Sequence, residues 1–186
     1  MMVAMSVATK TRLLTFEEFE RLPDRAGKDE LLEGELIELP PADFKHNRIA
    51  LRIYRLLDTA VEAANARGEA AALGEVYIEM GYKLGQNYVQ PDVSVTHAGQ
   101  AVEMYLMSAP AIAIEVVSPG NTARVLGIKT ELYFRFGALE VWRLYPKTRH
   151  VARQVAGSPH TTTEREAVRT PLLPDFELKI QEILGS

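Results

Sequence analysis

The sequence predicts an α/β sandwich in which helices flank a mixed central β-sheet. Two observations carry this prediction. First, residues 111–117 are almost wholly apolar, which is typical of a central strand covered on both faces. Second, the elements follow one another as helix, strands, helix and strand, with two small hairpins attached. That order indicates a single layered α/β domain around one core.

The N-terminal elements are predicted from helix caps and hydrophobic periodicity. Thr15 begins a capping box and a short helix that ends near Pro23. Residues 30–39 alternate in polarity around a Glu-Gly pair, which indicates a hairpin. A long helix over residues 43–67 keeps its apolar side chains on one face and has Gly68 as its C-cap.

Five strands and one helix are predicted for the remainder. The strands are residues 75–80, 88–95, 111–117, 139–145 and 150–155, and the helix spans residues 122–136. The run 88–95 carries Pro91 and Asp92 within it. Trp142 is expected in the core, and Ser118 is expected to cap the helix that follows it.

Composition restricts the possible chemistry. The chain has 186 residues, a net charge of −4 and no cysteine, so disulfides, thiol nucleophiles and thiolate zinc sites are excluded. Neither a secretory signal nor a membrane-spanning apolar run is found, which favours a cytoplasmic protein without membrane contact. We expect residues 1–12 to form a loose arm and residues 13–186 a single domain.

Positive charge is concentrated in residues 124–153, which sum to +5 while the rest of the chain sums to −9. A local positive face beside acidic surroundings can steer a polyanion into one cleft. On this interpretation Arg124, Arg143 and Lys147 bind the substrate. The alternative is that these bases lie on ordinary solvated helix and hairpin faces.

Glu115 and Lys129 are charged residues at positions where their predicted elements are otherwise apolar. Glu115 ends the apolar strand, where an unpaired carboxylate would cost several kcal/mol or become protonated. Lys129 falls in the middle of the apolar face of the helix 122–136, although lysine is rarely buried. Each is the natural partner of the other. There are two alternatives: the two residues form a purely structural ion pair, or Glu115 lies at the solvent end of the strand and contacts only water.

Asp92 adds a third group to this pair. Aspartate is depleted in strands, and a pairing of its strand with the Glu115 strand would bring two carboxylates and an ammonium to one end of the sheet. Ligands that are oxygen only suit Mg²⁺ or Mn²⁺, which keep several waters and also bind substrate phosphates.

The same residues resemble the PD-(D/E)XK nuclease signature, and more specifically the Uma-two family of bacterial restriction endonucleases. The matching segments are residues 30–36, His46, residues 88–95, residues 113–119, Lys129 with Tyr133, and residues 172–176. Together they extend over nearly the whole chain from Thr15 onward. In the basic signature the lysine lies two residues after the glutamate, which is Val117 here, so the lysine has moved to the following helix.

This resemblance implies a restriction-endonuclease-like fold and a Mg²⁺-dependent endonuclease that hydrolyses DNA. It implies that Asp92, Glu115 and the carbonyl of Val116 hold the metal, and that Lys129 takes the catalytic lysine's role. Supporting roles fall to Glu30, Glu35, His46 and Tyr133, with ordinary surface or core-edge positions as the alternative. A homodimer is expected, since cutting both strands usually needs two centres. The alternative function is a non-catalytic module that binds nucleic acid or a partner protein.

Overall fold

The computed structural model describes residues 12–24, 26–69, 73–101 and 104–185. The arm expected over residues 1–12 therefore lies outside the described residues, apart from Arg12. Within them the helices are α1 (Phe16–Glu20), α2 (Phe44–Arg67), α3 (Ala123–Arg135) and α4 (Ile180–Leu184). The strands are β1 (Lys28–Leu32), β2 (Glu35–Leu39), β3 (Leu73–Ile78), β4 (Tyr82–Leu84), β5 (Asn87–Val89), β6 (Val93–His97), β7 (Ile112–Val116), β8 (Glu140–Tyr145), β9 (His150–Val155), β10 (Thr161–Glu164), β11 (Ala167–Thr170) and β12 (Leu173–Lys179).

A six-stranded mixed sheet forms the centre of the domain, in the order β10-β9-β8-β7-β6-β3. The strands β7 and β8 are parallel and are joined by α3, whereas the other neighbours are antiparallel. Every residue of β7 is buried, because helices and hairpins cover both faces of the strand. The predicted α/β sandwich with a mixed central sheet is confirmed.

The two faces of the sheet bury separate apolar clusters. Ile112, Ile114 and Trp142 pack with the buried face of α2, with β12 and with α4. Ala113 and Val141 point to the opposite face and pack with α3 and the small sheet. Side chains alternate along a strand, so Glu115 follows Ala113 onto the α3 face. This alternation is what directs the Glu115 carboxylate towards Lys129.

A smaller sheet in the order β2-β1-β5-β4 lies beside the central one. The prediction of one strand over residues 88–95 is wrong, because β5 ends at Val89 in the small sheet and β6 begins at Val93 in the central sheet. The break coincides with Pro91, which has no N–H to donate to a ladder. Asp92 therefore lies between two sheets and not inside a strand.

The predicted helix ends agree closely with the structure. Thr15 forms the complete capping box, and Asp43 caps α2, whose C-cap Gly68 has a φ of 72°. Thr122, and not Ser118, caps α3, since the Thr122 side chain accepts from the Val125 N–H. The Ser118 hydroxyl instead donates to Asn121 within the preceding turn.

The sequence analysis did not predict the strands β10 to β12 and the helix α4. Strand β10 is mostly exposed and polar, so it lacks a hydrophobic period of two. Strand β12 and α4 pack against α2 and complete the core on that side. Within the described part of the chain, no helix has the length and apolar character needed to cross a bilayer.

Candidate active site

A cluster of ionisable side chains lies at one end of the central sheet, next to the small sheet. Its members come from β1, the start of α2, the segment before β6, the end of β7, and α3. They are Lys28, Glu30, His46, Asp92, Glu115 and Lys129. The sequence analysis singled out five of these residues, and it missed Lys28.

Asp92 is held by partners on both of its carboxylate oxygens. The antiparallel register of β6 and β7 pairs Val93 with Ile114, so it aligns Asp92 with Glu115. The Val116 N–H donates to Oδ2 at 2.7 Å, and the Lys28 ammonium donates to Oδ1 at 2.9 Å. His46 Nε2 is 3.3 Å from the same Oδ1. The carboxylate is thereby fixed in orientation at the end of the sheet.

The two cationic neighbours shift the pKa of Asp92. Burial alone would raise this pKa, but the Lys28 charge and the His46 hydrogen bond outweigh it and hold the pKa well below its usual value. The hydrogen bond that His46 donates to Asp92 in turn raises the pKa of His46, against the opposing effect of burial. Asp92 is therefore a carboxylate at neutral pH.

Glu115 has a different environment. Its Oε1 lies 2.7 Å from the Lys129 ammonium and accepts a hydrogen bond of 2.7 Å from the Tyr133 hydroxyl. Burial raises the pKa of Glu115, and the Lys129 charge only partly opposes this. Both contacts use Oε1. Tyr133 is a turn of α3 beyond Lys129 and fixes the orientation of the carboxylate.

Lys129 has a second partner that was not expected. Its ammonium donates to Glu30 Oε1 at 2.8 Å, and the same oxygen accepts from the Gln90 N–H at 2.8 Å. Glu30 is fully buried, so the interpretation of a surface hairpin charge is wrong for this residue. Glu115 and Glu30 raise the pKa of Lys129 above its usual value, although burial acts to lower it.

Charges within the cluster nearly cancel. Three carboxylates face two ammonium groups, so the cluster carries −1 when His46 is neutral and zero when it is protonated. Lys28 and Glu30 are two residues apart on β1, so they point to the same side of the strand. That spacing is the signal that identifies Lys28 once Glu30 is known to face inward.

A pocket of about 470 Å³ opens onto this cluster. Its walls come from the end of β2, the start of α2, and the turn of residues 118–121 between β7 and α3. Lys28, His46, Asp92 and Glu115 line it. Glu30 and Lys129 are not among its lining residues and lie behind Glu115. The wall of the pocket thus presents two carboxylates, an ammonium and an imidazole of the cluster, together with the further acids Asp43 and Glu79.

Other candidate residues lie outside the pocket. Glu35 is part-exposed on β2 and pairs with Arg124 at 2.7 Å. Arg143 is aligned with Glu115 in the parallel register of β7 and β8, and Lys147 is exposed in the turn after β8. Within the 124–153 segment, Arg124, Lys129 and Arg153 are engaged by carboxylates, so less free positive charge remains there than the count suggests.

Metal-ligating side chains are few at this site. Among the described residues, no group of three or more His, Asp or Glu side chains is arranged to hold a metal ion. Asp92 and Glu115 are the two cluster carboxylates that line the pocket, and Asp43 and Glu79 are further acids in its wall. A cation at this position would take its remaining ligands from backbone oxygen, water or a bound phosphate.

Comparisons with known proteins agree on fold and family. The model of the Uma2 (Uma-two) family, described as "Putative restriction endonuclease", matches residues 16–181. A crystal structure of "a putative nuclease belonging to DUF820" from Anabaena variabilis ATCC 29413 has a TM-score of 0.80 and 20% sequence identity, covering 92% of this chain and 97% of that one. No curated protein matches the sequence. Since the family model extends over most of the chain and the fold agrees, this protein belongs to the Uma2 family.

Proposed function

We propose that this protein is an endonuclease that hydrolyses DNA phosphodiester bonds with the help of Mg²⁺ or Mn²⁺. The observation that carries the proposal is that Asp92, just before β6, lies opposite Glu115 of β7, with both residues in the wall of one pocket. Membership of a family described as restriction endonucleases supports the same conclusion.

The chemistry of the donor set fits a divalent metal ion. Asp92 and Glu115 offer carboxylate oxygens, and within the described residues the polar contacts of the Glu115 side chain use Oε1. Val116 lies between Glu115 and the turn, so its carbonyl is the nearest candidate for a backbone ligand. When bound there, Mg²⁺ or Mn²⁺ would lower the pKa of a water nucleophile and offset the charge of the phosphate.

The protein's own residues would hold this site in shape. The Val116 N–H fixes the plane of Asp92, and the Tyr133 hydroxyl fixes that of Glu115. Lys129 bridges Glu115 and Glu30, so it holds α3 against β7 and β1. Lys28 and His46 neutralise Asp92 and face the pocket, where they are available to a phosphate oxygen.

One observation favours the alternative of a non-catalytic nucleic-acid-binding module. Lys28, His46 and Lys129 already neutralise the carboxylates, so the cluster is compensated without any metal ion. A protein that binds nucleic acid by the same pocket without cleaving it would retain this arrangement. The two functions differ in whether divalent ions bind and whether DNA is cut.

The test compares Asp92→Asn and Glu115→Gln with the wild type. Each variant is expected to bind Mn²⁺ more weakly in calorimetry and to cut plasmid DNA at least about 10²-fold more slowly, the usual effect of losing one electrostatic contact at a reaction centre. Glu35→Gln is the matched control, since Glu35 is a part-exposed acid paired with Arg124 outside the pocket. Plasmid and single-stranded substrates are both assayed with Mg²⁺ and with Mn²⁺.

The outcomes separate the two functions. Cleavage that is lost in both pocket variants and kept in Glu35→Gln supports the endonuclease. DNA binding without cleavage under any divalent ion supports the non-catalytic module. Wild-type cleavage in both Asp92→Asn and Glu115→Gln would contradict the proposed site.

A further inference from the structure

The N-terminal half of α2 has an unusually one-sided charge. Between residues 44 and 57 it contains Lys45, Arg48, Arg52 and Arg55 and no acidic residue. Arg52 has a structural role, because its guanidinium donates a hydrogen bond of 2.8 Å to the Ile183 carbonyl. Lys45, Arg48 and Arg55 are exposed, and none of them pairs with an acid in the described part of the chain. This half-helix is thus a strongly positive surface outside the 124–153 segment.

Phe44 lies at the start of the same helix and is 80% exposed. A phenylalanine normally buries most of its ring, and no part of the core accounts for its position here. Asp43 and His46, on either side of it in the sequence, both line the pocket. Phe44 does not line the pocket itself, so its exposed ring lies on the outer side of the helix end that borders the pocket.

Helix geometry groups these side chains into one face. At about 100° per residue, Phe44, Arg48 and Arg55 fall within an arc of about 40°, with Lys45 to one side. His46 points in the opposite direction, towards Asp92. The rise from residue 44 to residue 55 is about 16 Å. We call Phe44, Lys45, Arg48 and Arg55 the α2 basic face.

We propose that a single-stranded or locally unpaired nucleic-acid segment lies along the α2 basic face as it leaves the pocket. Lys45, Arg48 and Arg55 bind its phosphates, and one unpaired base stacks on the Phe44 ring. Positive grooves combined with exposed aromatic rings are typical of single-strand binding, since every base offers a face for stacking. This inference rests on the proposed function and names the form of substrate that the site takes.

Charge favours this occupant over a second copy of the chain. A symmetric contact through α2 would bring Arg48 and Arg55 of one copy close to the same bases of the other. Like charges placed across an interface oppose association. A polyanion has the complementary charge. A nucleic acid whose phosphodiester bond lies in the pocket would extend along the neighbouring helix.

Binding of a short single-stranded oligonucleotide, measured in EDTA so that no cleavage occurs, tests the proposal. The oligonucleotide carries 2-aminopurine, whose fluorescence reports stacking. Phe44→Ala is expected to weaken binding by about 5- to 150-fold and to abolish the fluorescence change. Arg48→Gln with Arg55→Gln is expected to reduce the slope of log affinity against log salt by about 1.4.

Two control variants match these changes elsewhere on the surface. Met104→Ala removes an apolar side chain that is 84% exposed, and Arg165→Gln removes an exposed arginine in the turn between β10 and β11. Both are expected to bind like the wild type. An oligonucleotide with an abasic position in place of 2-aminopurine is expected to reduce the difference between wild type and Phe44→Ala.

Each outcome bears on a different conclusion. If the wild type binds no single-stranded oligonucleotide but cuts plasmid DNA with Mg²⁺ or Mn²⁺, only this inference is overturned; if it also cuts no plasmid, the proposed function fails with it. If the wild type binds and the α2 variants bind equally well, only this inference is overturned. If Phe44→Ala instead changes the sedimentation of the free protein or its binding to anionic phospholipid vesicles, the face serves a second copy or a membrane, and the inference is wrong.

Discussion

Replacing Lys129 with methionine is expected to cost much of the stability of this protein. The Lys129 ammonium lies 2.7 Å from Glu115 and 2.8 Å from Glu30, and all three side chains are almost inaccessible to solvent. Removing one partner of a buried ion pair typically costs about 3–5 kcal/mol, because the other charge remains buried and unpaired. Against a total stability of about 5–15 kcal/mol, a loss of that size is large.

Urea unfolding measures this loss, with an expected decrease of about 1.5–2.5 M in the midpoint for a slope of about 2 kcal/mol per M. Lys179→Met is the matched control, because Lys179 pairs with Glu182 while both are more than half exposed. An exposed pair contributes about 1 kcal/mol or less. Adding Glu30→Gln to Lys129→Met is expected to restore part of the stability, whereas Glu30→Gln alone is expected to destabilise the wild type.

The pH dependence of the variant has a defined sign. Burial raises the pKa of Glu115 in the folded state, and without the Lys129 ammonium this pKa lies further above its unfolded value. The folded state then binds more protons, so the free energy of unfolding of Lys129→Met should rise as pH falls from 7 towards 5. A loss of less than about 1 kcal/mol, or a stability that does not change with pH, would refute the reasoning about these buried charges.

The same variant separates structure from catalysis. If Lys129 only neutralises Glu115, Lys129→Met should bind Mn²⁺ less well at neutral pH because Glu115 shifts towards protonation. If the amine acts on the water or the phosphate, Mn²⁺ affinity in calorimetry should survive while plasmid cleavage collapses by about 10²–10³-fold. Wild-type cleavage in Lys129→Met would exclude a catalytic role for this lysine.

Three further predictions follow from the contacts of the pocket. In metal-free protein the pKa of His46 is raised, so the protonated His46 stabilises the fold. This stabilisation is fully present below about pH 6.5 and is lost as pH rises through the folded-state pKa. In urea unfolding, His46→Gln should therefore be less stable than the wild type in acid but not at pH 9. Lys28→Met removes an ammonium 2.9 Å from Asp92, so its Mn²⁺ affinity in calorimetry should rise by about tenfold or more, and unchanged affinity would mean that Lys28 does not compete with a cation. Charge reversal at Arg143 or Lys147 should weaken DNA binding and flatten its salt dependence more than reversal at Arg124, which Glu35 already neutralises. If all three variants bind DNA as tightly as the wild type, the nucleic acid lies away from this segment.

Local signals account for the elements that were predicted correctly. The cap residues Thr15, Asp43 and Gly68 and the 3.6-residue period of α2 depend only on neighbours within a few positions along the chain. The buried strand β7 is recognisable because it is apolar on both faces. The same patterns made Glu115 and Lys129 conspicuous, since each is a charged residue in an apolar context.

Partners from distant parts of the chain could not be predicted in this way. Glu30 is 99 residues from Lys129, and Lys28 is 64 residues from Asp92. In the sequence, both hairpin residues have the character of ordinary surface charges. Only the position of the small sheet against α3 and β6 makes them buried partners of the site.

The sequence by itself determined the helices α1, α2 and α3, the central strand, and the hairpin of β1 and β2, and it singled out Asp92, Glu115 and Lys129. The tertiary structure alone decided that Asp92 lies at a break between two sheets, that Glu30 shares Lys129, and that Lys28 and His46 hold Asp92. The reason is physical: periodicity and caps act over one or two turns, whereas the neutralisation of a buried charge depends on whichever distant side chain the fold brings within about 3 Å.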